Sequence, residues 1–250
     1  MIQGLVSVIT PTYNCGKFIA DTIRSVQAQT YPNWEMIIMD DCSTDDTRDI
    51  VGALSGQDSR IKYHCLPANA GAAVARTEAM RLAEGQWMAF LDSDDLWHPE
   101  KLQRQLDFMQ ENGCVFSCTA YEQIDETGKP LGKIVRTVPK TDYNRLLLDC
   151  PVGNSTVMYS VEKMGKFEVP NIRKRNDDAL WLQMLKKEPY IWGLPEVLMQ
   201  YRLRSGSISR NKLKVIKYHW VLYRRIEHLS LPRSLFHIAY WCVIKVLRIK

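Results

Sequence analysis

Gln86-Trp87-Met88-Ala89-Phe90-Leu91-Asp92-Ser93-Asp94-Asp95 is the stretch that decides the fold. A largely apolar run of strand length stops at three carboxylates packed into four positions. Upstream of it, Ala72 to about Ala83 has helical spacing, and Gly85 reads as that helix's C-cap. Further back, Ile61 to Leu66 and Trp34 to Met39 are apolar strands, the second broken by Asp40-Asp41. Between those two strands Ser43-Thr44 offers an N-cap to a helix carrying Ile50, Val51 and Leu54. Leu5 to Thr10 is another strand, stopped at Pro11, and Phe18, Ile19, Ile23 and Val26 follow it at helical spacing. Strands alternating with helices over short connections imply right-handed crossovers and a mainly parallel sheet. Ligands of such sheets sit beyond the carboxyl ends of the strands. Three ends here carry polar or acidic clusters: Thr10-Pro11-Thr12-Tyr13-Asn14, Asp40-Asp41 and Asp92 to Asp95. The topology brings all three to one edge.

Carboxylates as close as Asp92, Asp94 and Asp95 repel one another unless a cation or a proton neutralises them. An all-oxygen site with few protein ligands suits Mg²⁺ or Mn²⁺, which keep positions open for substrate phosphates. The alternative is a solvated turn ahead of Pro99. Part of Asp40 to Asp45 caps a helix, with Asp45-Asp46 favouring its positive end. Asp41 is not needed for that, and a carboxylate there can accept the imide N–H of a uracil ring.

Downstream the pattern loosens. Pro99 opens a helix reaching about Asn112, Cys114 to Tyr121 is strand-like, and Glu126-Thr127-Gly128-Lys129 signals a hairpin turn. Ser155 to Tyr159 returns to the sheet, and Asp177 to Lys187 is an amphipathic helix. The 250 residues, 46% apolar and 24% charged, fit a globular protein and exclude disordered, collagen-like and coiled-coil chains. Seven scattered cysteines without a CxxC pair argue against a disulfide framework or a zinc ribbon and fit reduced thiols in a cytosol. No signal peptide and no apolar stretch of bilayer-spanning length is legible.

Taken together, the stretches Val6 to Asn14, Ile38 to Asp45, Asn69 to Arg76 and Gly85 to Asp95 resemble the family 2 glycosyltransferases with the GT-A fold, in order and spacing over about residues 5–115. Arg175-Asn176-Asp177-Asp178-Ala179-Leu180-Trp181-Leu182 is similar to the family's acidic motif, usually Glu-Asp followed after two residues by Leu-Trp. Alignment on Trp181 places the catalytic aspartate at Asp177, with Asn176 where the family has Glu and Asp178 as the competitor. Tyr201 to Ser209 resembles the loop that closes the donor site, with Arg204 where many relatives carry histidine.

The resemblance implies a Rossmann-like α/β catalytic domain over residues 1–208, with a nucleotide-sugar half to residue 115 and an acceptor half beyond it, then a helical extension over 209–250. It implies inverting, metal-dependent transfer of a hexose, glucose or galactose, from a UDP-sugar to a saccharide on polyprenyl diphosphate, as in bacterial O-antigen-like polysaccharide synthesis. Pro11 and Tyr13 would frame the base, Asp41 accept from uracil, and Arg76 fix the nucleotide. Asp92 would hold ribose or metal-bound water, Asp94 the Mg²⁺ or Mn²⁺, and Asp95 the metal or acceptor side. Arg204 would grip the diphosphate through its planar fork, a flexible basic linker being the other reading. Asp177 would act as general base, and Trp181, four residues on and on the same helix face, is either core or a platform for the acceptor sugar. A sugar-1-phosphate nucleotidyltransferase would carry a Gly-x-Gly-Thr-Arg loop where Thr10 to Asn14 stands, and intact Asp94 and Asp177 argue against a non-catalytic scaffold.

The chain's net charge of +5 is uneven: Lys212 to Lys250 carries nine Lys/Arg and one Glu, which leaves −3 for the first 211 residues. Basic residues interleaved with Trp220, Tyr223, Phe236, Tyr240 and Trp241 suit a helix lying on anionic lipid at the inner leaflet of the cell membrane. A helical hairpin packed on the catalytic domain is the alternative. No reader module for nucleic acid is present.

Overall fold

The computed structural model describes residues 1–204 and 212–247, with the side chains of 212–214 and 245–247 left aside. The first half runs β1 (Ile2–Thr12), α1 (Gly16–Gln27), β2 (Trp34–Asp40), α2 (Thr47–Ser55), β3 (Ile61–Cys65), α3 (Ala72–Leu82) and β4 (Gly85–Phe90). It continues through β5 (Leu96–Trp97), α4 (Lys101–Glu111), β6 (Phe116–Ile124), β7 (Pro130–Val135), β8 (Lys140–Thr141) and α5 (Tyr143–Leu148). A 3-10 turn (Asn154–Thr156) leads into β9 (Met158–Ser160), α6 (Val161–Met164), α7 (Asn176–Leu185) and β10 (Ile191–Arg202). α8 (Lys212–Val221), a π turn (Leu222–Ile226) and α9 (Leu231–Leu247) follow.

All the strands join one sheet, ordered β3-β2-β1-β4-β9-β6-β10-β5, with β7 added to β6 and β8 to β10. Pairing is parallel across β3, β2, β1 and β4, where strand and helix alternate in the sequence. Antiparallel pairing enters at β9, which lies between β4 and β6. The three expected strand ends share one edge: Pro11 pairs with Met39 and Thr12 with Asp40, while Ile9 pairs with Phe90, two residues before Asp92. Helices cover both faces. One core gathers Ile9, Ile37, Phe90, Phe116, Tyr159 and Trp181, and the other Val6, Val8, Ile38, Trp34, Ala89 and Leu91.

Two local expectations are corrected. Gly85 opens β4 rather than capping α3, because a Cβ there would lie 2.6 Å from the Leu5 carbonyl oxygen and 2.7 Å from Ser7 Oγ. Neither Ser43 nor Thr44 caps α2. The Ser43 hydroxyl donates to Asp40 at 2.6 Å; Asp46 is the N-cap, without a side-chain cap bond, and Asp45 before it accepts from the Thr47 N–H at 3.1 Å and the Gly16 N–H at 3.0 Å. The hairpin turn expected at Glu126 to Lys129 closes one residue earlier, at Asp125–Gly128, between β6 and β7.

The basic extension packs on the body. Its Tyr223 hydroxyl donates to the Leu147 carbonyl at 2.9 Å, and Glu227 pairs with Lys186 at 2.8 Å and accepts from Tyr143. On α9, Ser234, His237 and Trp241 face inward, whereas Leu235, Phe236 and Val243 stay 51%, 58% and 51% exposed. Among the described residues no helix is long and apolar enough to cross a membrane.

Candidate active site

The end of β4 and the start of α7 meet through one arginine. Arg76, on α3 and almost fully buried, donates one arm to Asp92 Oδ1 at 3.0 Å and the other to Asn176 Oδ1 at 2.5 Å. Asn176 stands where the resembling family has glutamate, so the guanidinium charge is left to Asp92. Asp92 also accepts from Asn154 Nδ2 at 2.8 Å. Burial raises the Asp92 carboxyl, Arg76 opposes the rise, and the charges of Asp94 and Asp177 add to it. Asp177 is therefore close enough to Asp92 to repel it, although 85 residues separate them in the chain.

The three carboxylates of the β4 end divide their work. Asp94 is partly exposed and pairs through Oδ2 with Arg204 Nε at 2.8 Å; burial raises its carboxyl and the guanidinium opposes that. Asp95 is 1% exposed and takes a different part from the one expected of it. Its Oδ2 accepts from the Ser155 hydroxyl at 2.6 Å, and its Oδ1 from the Arg202 N–H at 3.0 Å. With both oxygens hydrogen-bonded inside the protein, Asp95 ties the β4 end to β10 and to the 3-10 turn. Burial, with the neighbouring Asp94 and Asp92 charges, holds its carboxyl well above the ordinary range.

Asp41 also has a structural role that its motif does not reveal. Its two oxygens accept the N–H groups of Ala70 and Gly71 at 2.6 and 2.8 Å, which anchors the loop entering α3. Pro11 is buried at the end of β1, and Tyr13 beyond it is 50% exposed at the mouth. Asn14 and Cys42 have left-handed backbone, φ 47° and 63°, in adjoining loops. Asn14 locks those loops together, its N–H donating to Ser43 Oγ at 2.8 Å and its side-chain oxygen accepting the Thr44 N–H at 2.8 Å. Such strained positions hold only where surrounding contacts fix them.

The adjacent aspartates of α7 are sorted by burial. Asp178 is buried and pairs with Arg175 at 2.8 Å, and burial lifts its carboxyl from 3.8 to about 6 against that pairing. Asp177, about 100° round the helix, is only half-buried. Trp181 is a core residue and not an acceptor platform: it is wholly buried, edge-on to Phe90 at 5.0 Å and tilted on Phe116 at 5.9 Å. Residues 205–209 of the loop expected to close the donor site lie outside the described residues.

Sequence reasoning missed Asn154, Ser155 and Arg202. Arg202 donates through Nε to the Asp94 carbonyl at 2.8 Å and lies 5.0 Å over the Phe18 ring. No local pattern marks these residues, since each acts across 60 residues or more of chain.

The donor set at the edge is all oxygen. Among the described residues no three His, Cys, Asp or Glu side chains form a cage for a metal ion. Burial disfavours the charged forms of Asp92 and Asp94, Arg76 and Arg204 partly offset this, and a bound cation would stabilise both carboxylates further. One or two carboxylates with the remaining positions left to substrate oxygens is how Mg²⁺ or Mn²⁺ is held. The residues fit such an ion.

A parallel αβ half with its strand ends loaded, joined to a mixed half that contributes an acidic helix start, defines a GT-A glycosyltransferase. The chain belongs to the Glycosyl transferase family 2, whose family model matches residues 7–169. It is 46% identical over 243 residues, 97% of this chain and 94% of the relative, to TuaG of Bacillus subtilis (strain 168), provisionally named a teichuronic acid biosynthesis glycosyltransferase. It is 40% identical over 221 residues, 88% of this chain and 85% of the relative, to WfgD of Escherichia coli, a UDP-Glc:alpha-D-GlcNAc-diphosphoundecaprenol beta-1,3-glucosyltransferase. The fold is similar to that of S. aureus TarS 1-349, crystallised in complex with UDP, with a TM-score of 0.69 and 21% identity over 94% of this chain and 69% of that one.

Proposed function

We propose that this glycosyltransferase moves a hexose, glucose in first place, from a UDP-sugar to a saccharide carried on polyprenyl diphosphate, with inversion at the anomeric carbon. The observation that carries the reading is the Arg76 bridge, which sets the carboxylate-rich end of β4 beside the start of α7. Donor and acceptor chemistry can then meet in one cleft. The donor class and the lipid-diphosphate acceptor are supported by the activity in WfgD's name.

Tyr13 packs on the base beside Pro11, and the remaining lone pairs of Asp41 accept from uracil. Asp92 and Asp94 would hold a divalent ion, which when bound relieves charge on the leaving diphosphate. Arg204 turns from Asp94 to the diphosphate, where its planar fork reads phosphate oxygens. Asp177 takes the proton of the acceptor hydroxyl as that oxygen attacks the anomeric carbon. Asp178, held by Arg175 and buried, does not reach the acceptor. The exposed Leu235, Phe236 and Val243 of α9, with Lys217, Arg225 and Arg233 exposed nearby, rest on the anionic cytoplasmic leaflet that presents the acceptor.

The test is release of nucleoside diphosphate from a panel of UDP- and GDP-hexoses, with and without a synthetic GlcNAc-diphospholipid, followed by the anomeric configuration of the product. Acceptor-dependent release from UDP-glucose with an inverted linkage is expected. Release from a guanosine donor alone would overturn the donor assignment.

A further inference from the structure

We propose that His219 of the C-terminal hairpin is a positioning residue for Asp177, acting through Arg175, so that the hairpin completes the active site. The proposal rests on the reading of Asp177 as base. Arg175 occupies the N-cap position of α7 with φ 65° and ψ 22°, and no side-chain cap hydrogen bond forms there. A residue with a side chain keeps that left-handed backbone only where its surroundings over-determine it. Here the guanidinium fork does so: Nη1 pairs with Asp178 Oδ2 at 2.8 Å, and Nη2 lies 2.9 Å from His219 Nε2.

The proton order of this chain is fixed by its far end. The Tyr223 hydroxyl donates its only proton to the Leu147 carbonyl at 2.9 Å. Towards His219 Nδ1, 3.2 Å away, it can therefore only accept, which places the imidazole proton on Nδ1. Nε2 is then bare and accepts from Arg175. His219 is 1% exposed and stacks 4.7 Å from Trp241, so the ring has little freedom to move.

The consequence falls on two adjacent carboxylates. Arg175 is attracted by Asp178 and, more weakly, by Asp177. Tied to His219, the cation stays on the Asp178 side and leaves Asp177 free for the acceptor hydroxyl. Among the described residues, the other charged and titratable groups facing this cluster include Cys150 and Asp149 of the loop after α5, Tyr223 of the π turn and His237 of α9, 5.5 Å from the Tyr223 ring. Anchoring the hairpin needs no arginine–histidine contact, since Glu227 with Lys186 and Tyr143, and Tyr223 with Leu147, already provide it. Without the Nε2 acceptor, Arg175 is free to turn to Asp177, where pairing makes the carboxylate a weaker base.

The test uses full-length protein carrying His219→Phe or His219→Gln. Phenylalanine keeps a ring and removes both nitrogens; glutamine restores an acceptor for Arg175 and a donor for Tyr223. His219→Phe is expected to lower kcat about tenfold, within the span such coupled sites produce. It should also move the acidic limb of the kcat–pH profile to lower pH, with KM for the donor unchanged. His219→Gln should recover most of the loss. A wild-type kcat and pH profile in His219→Phe, or a His219→Gln variant as impaired as His219→Phe, would overturn the proposal. Asp177→Asn is run alongside. If it is inactive while His219→Phe is wild-type, only the positioning role falls; if it is fully active, the base assignment falls first.

Discussion

The donor half and the acceptor half of this protein are built by different kinds of contact. At the ends of β1, β2 and β4 the polar residues come in short runs, with Asp40 bonded to Ser43, Asp45 to Thr47 and Asp92 to Asp95 in one turn, and remote partners such as Asn154, Ser155 and Arg204 then fix them. Around α7 the partners are remote: Arg76 to Asn176, Arg175 to His219 and Asp178 to Cys150. Short motifs therefore locate the first half and only one helix start of the second. Residues of the motifs also carry structural roles. Asp41 and Asp95 belong to the most recognisable stretches, yet both hold loops and strands together through both carboxylate oxygens.

A large effect tests the donor half. Asp94→Ala removes the carboxylate best placed to hold the ion and frees Arg204. Transfer should fall by about 10²–10³-fold, the scale of losing one group that stabilises developing charge. Donor affinity should fall with it, and EDTA should silence the wild type until Mg²⁺ or Mn²⁺ is returned. Asp95→Ala makes the contrast: it should lose folded protein as well as activity, because Ser155 Oγ and the Arg202 N–H lose their acceptor. An Asp95→Ala variant with wild-type thermal stability would break the distinction between the two carboxylates.

How much of this was legible follows from where each contact lies in the chain. Parallel strands, the crossover helices and the shared edge came from hydrophobic runs ended by polar clusters, a local signal. The insertion of β9 between β4 and β6 did not, since three residues carry no periodicity of their own. Asp177 and Arg76 were identified by resemblance, whereas Asn154, Ser155 and Arg202 needed the coordinates. The basic extension was legible as charge and aromatic content, but its inward face of Ser234, His237 and Trp241 was not separable from the outward face by composition.

That extension gives the next prediction. Deletion before Lys212 is not a clean test of membrane contact, because it uncovers Leu147 and leaves Arg175 without His219. Replacing Leu235, Phe236 and Val243 together by serine spares the packed face. Sedimentation with anionic vesicles at high salt should drop by at least about tenfold, since each inserted apolar side chain contributes about 1.5–3 kcal/mol and screening has removed the ionic attraction. Activity on a short soluble acceptor should be unchanged. Unaltered sedimentation would assign α9 to packing alone.

The smallest effect separates the two aspartates of α7 by their proton equilibria. Burial puts the folded Asp178 carboxyl at about 6 against an ordinary 3.8, so between those values the folded state binds the extra proton. Stability contributed by this group is present at low pH and is lost as pH rises through about 6. The corresponding scale is about 3 kcal/mol at most. Calorimetric melting temperatures of Asp178→Asn should therefore gain on the wild type between pH 4.5 and pH 7 (about the titration window). Parallel curves would mean that Asp178 does not titrate there.

The most direct measurement on the central claim is single-turnover transfer by Asp177→Asn with a UDP-hexose and a lipid-diphosphate saccharide, set beside UDP binding to the same variant. The amide keeps the shape and removes the basicity, so transfer should fall by about 10²–10⁴-fold while UDP affinity stays at the wild-type value. Transfer at the wild-type rate, or a loss fully explained by weakened UDP binding, would contradict a site in which Asp177 activates the acceptor.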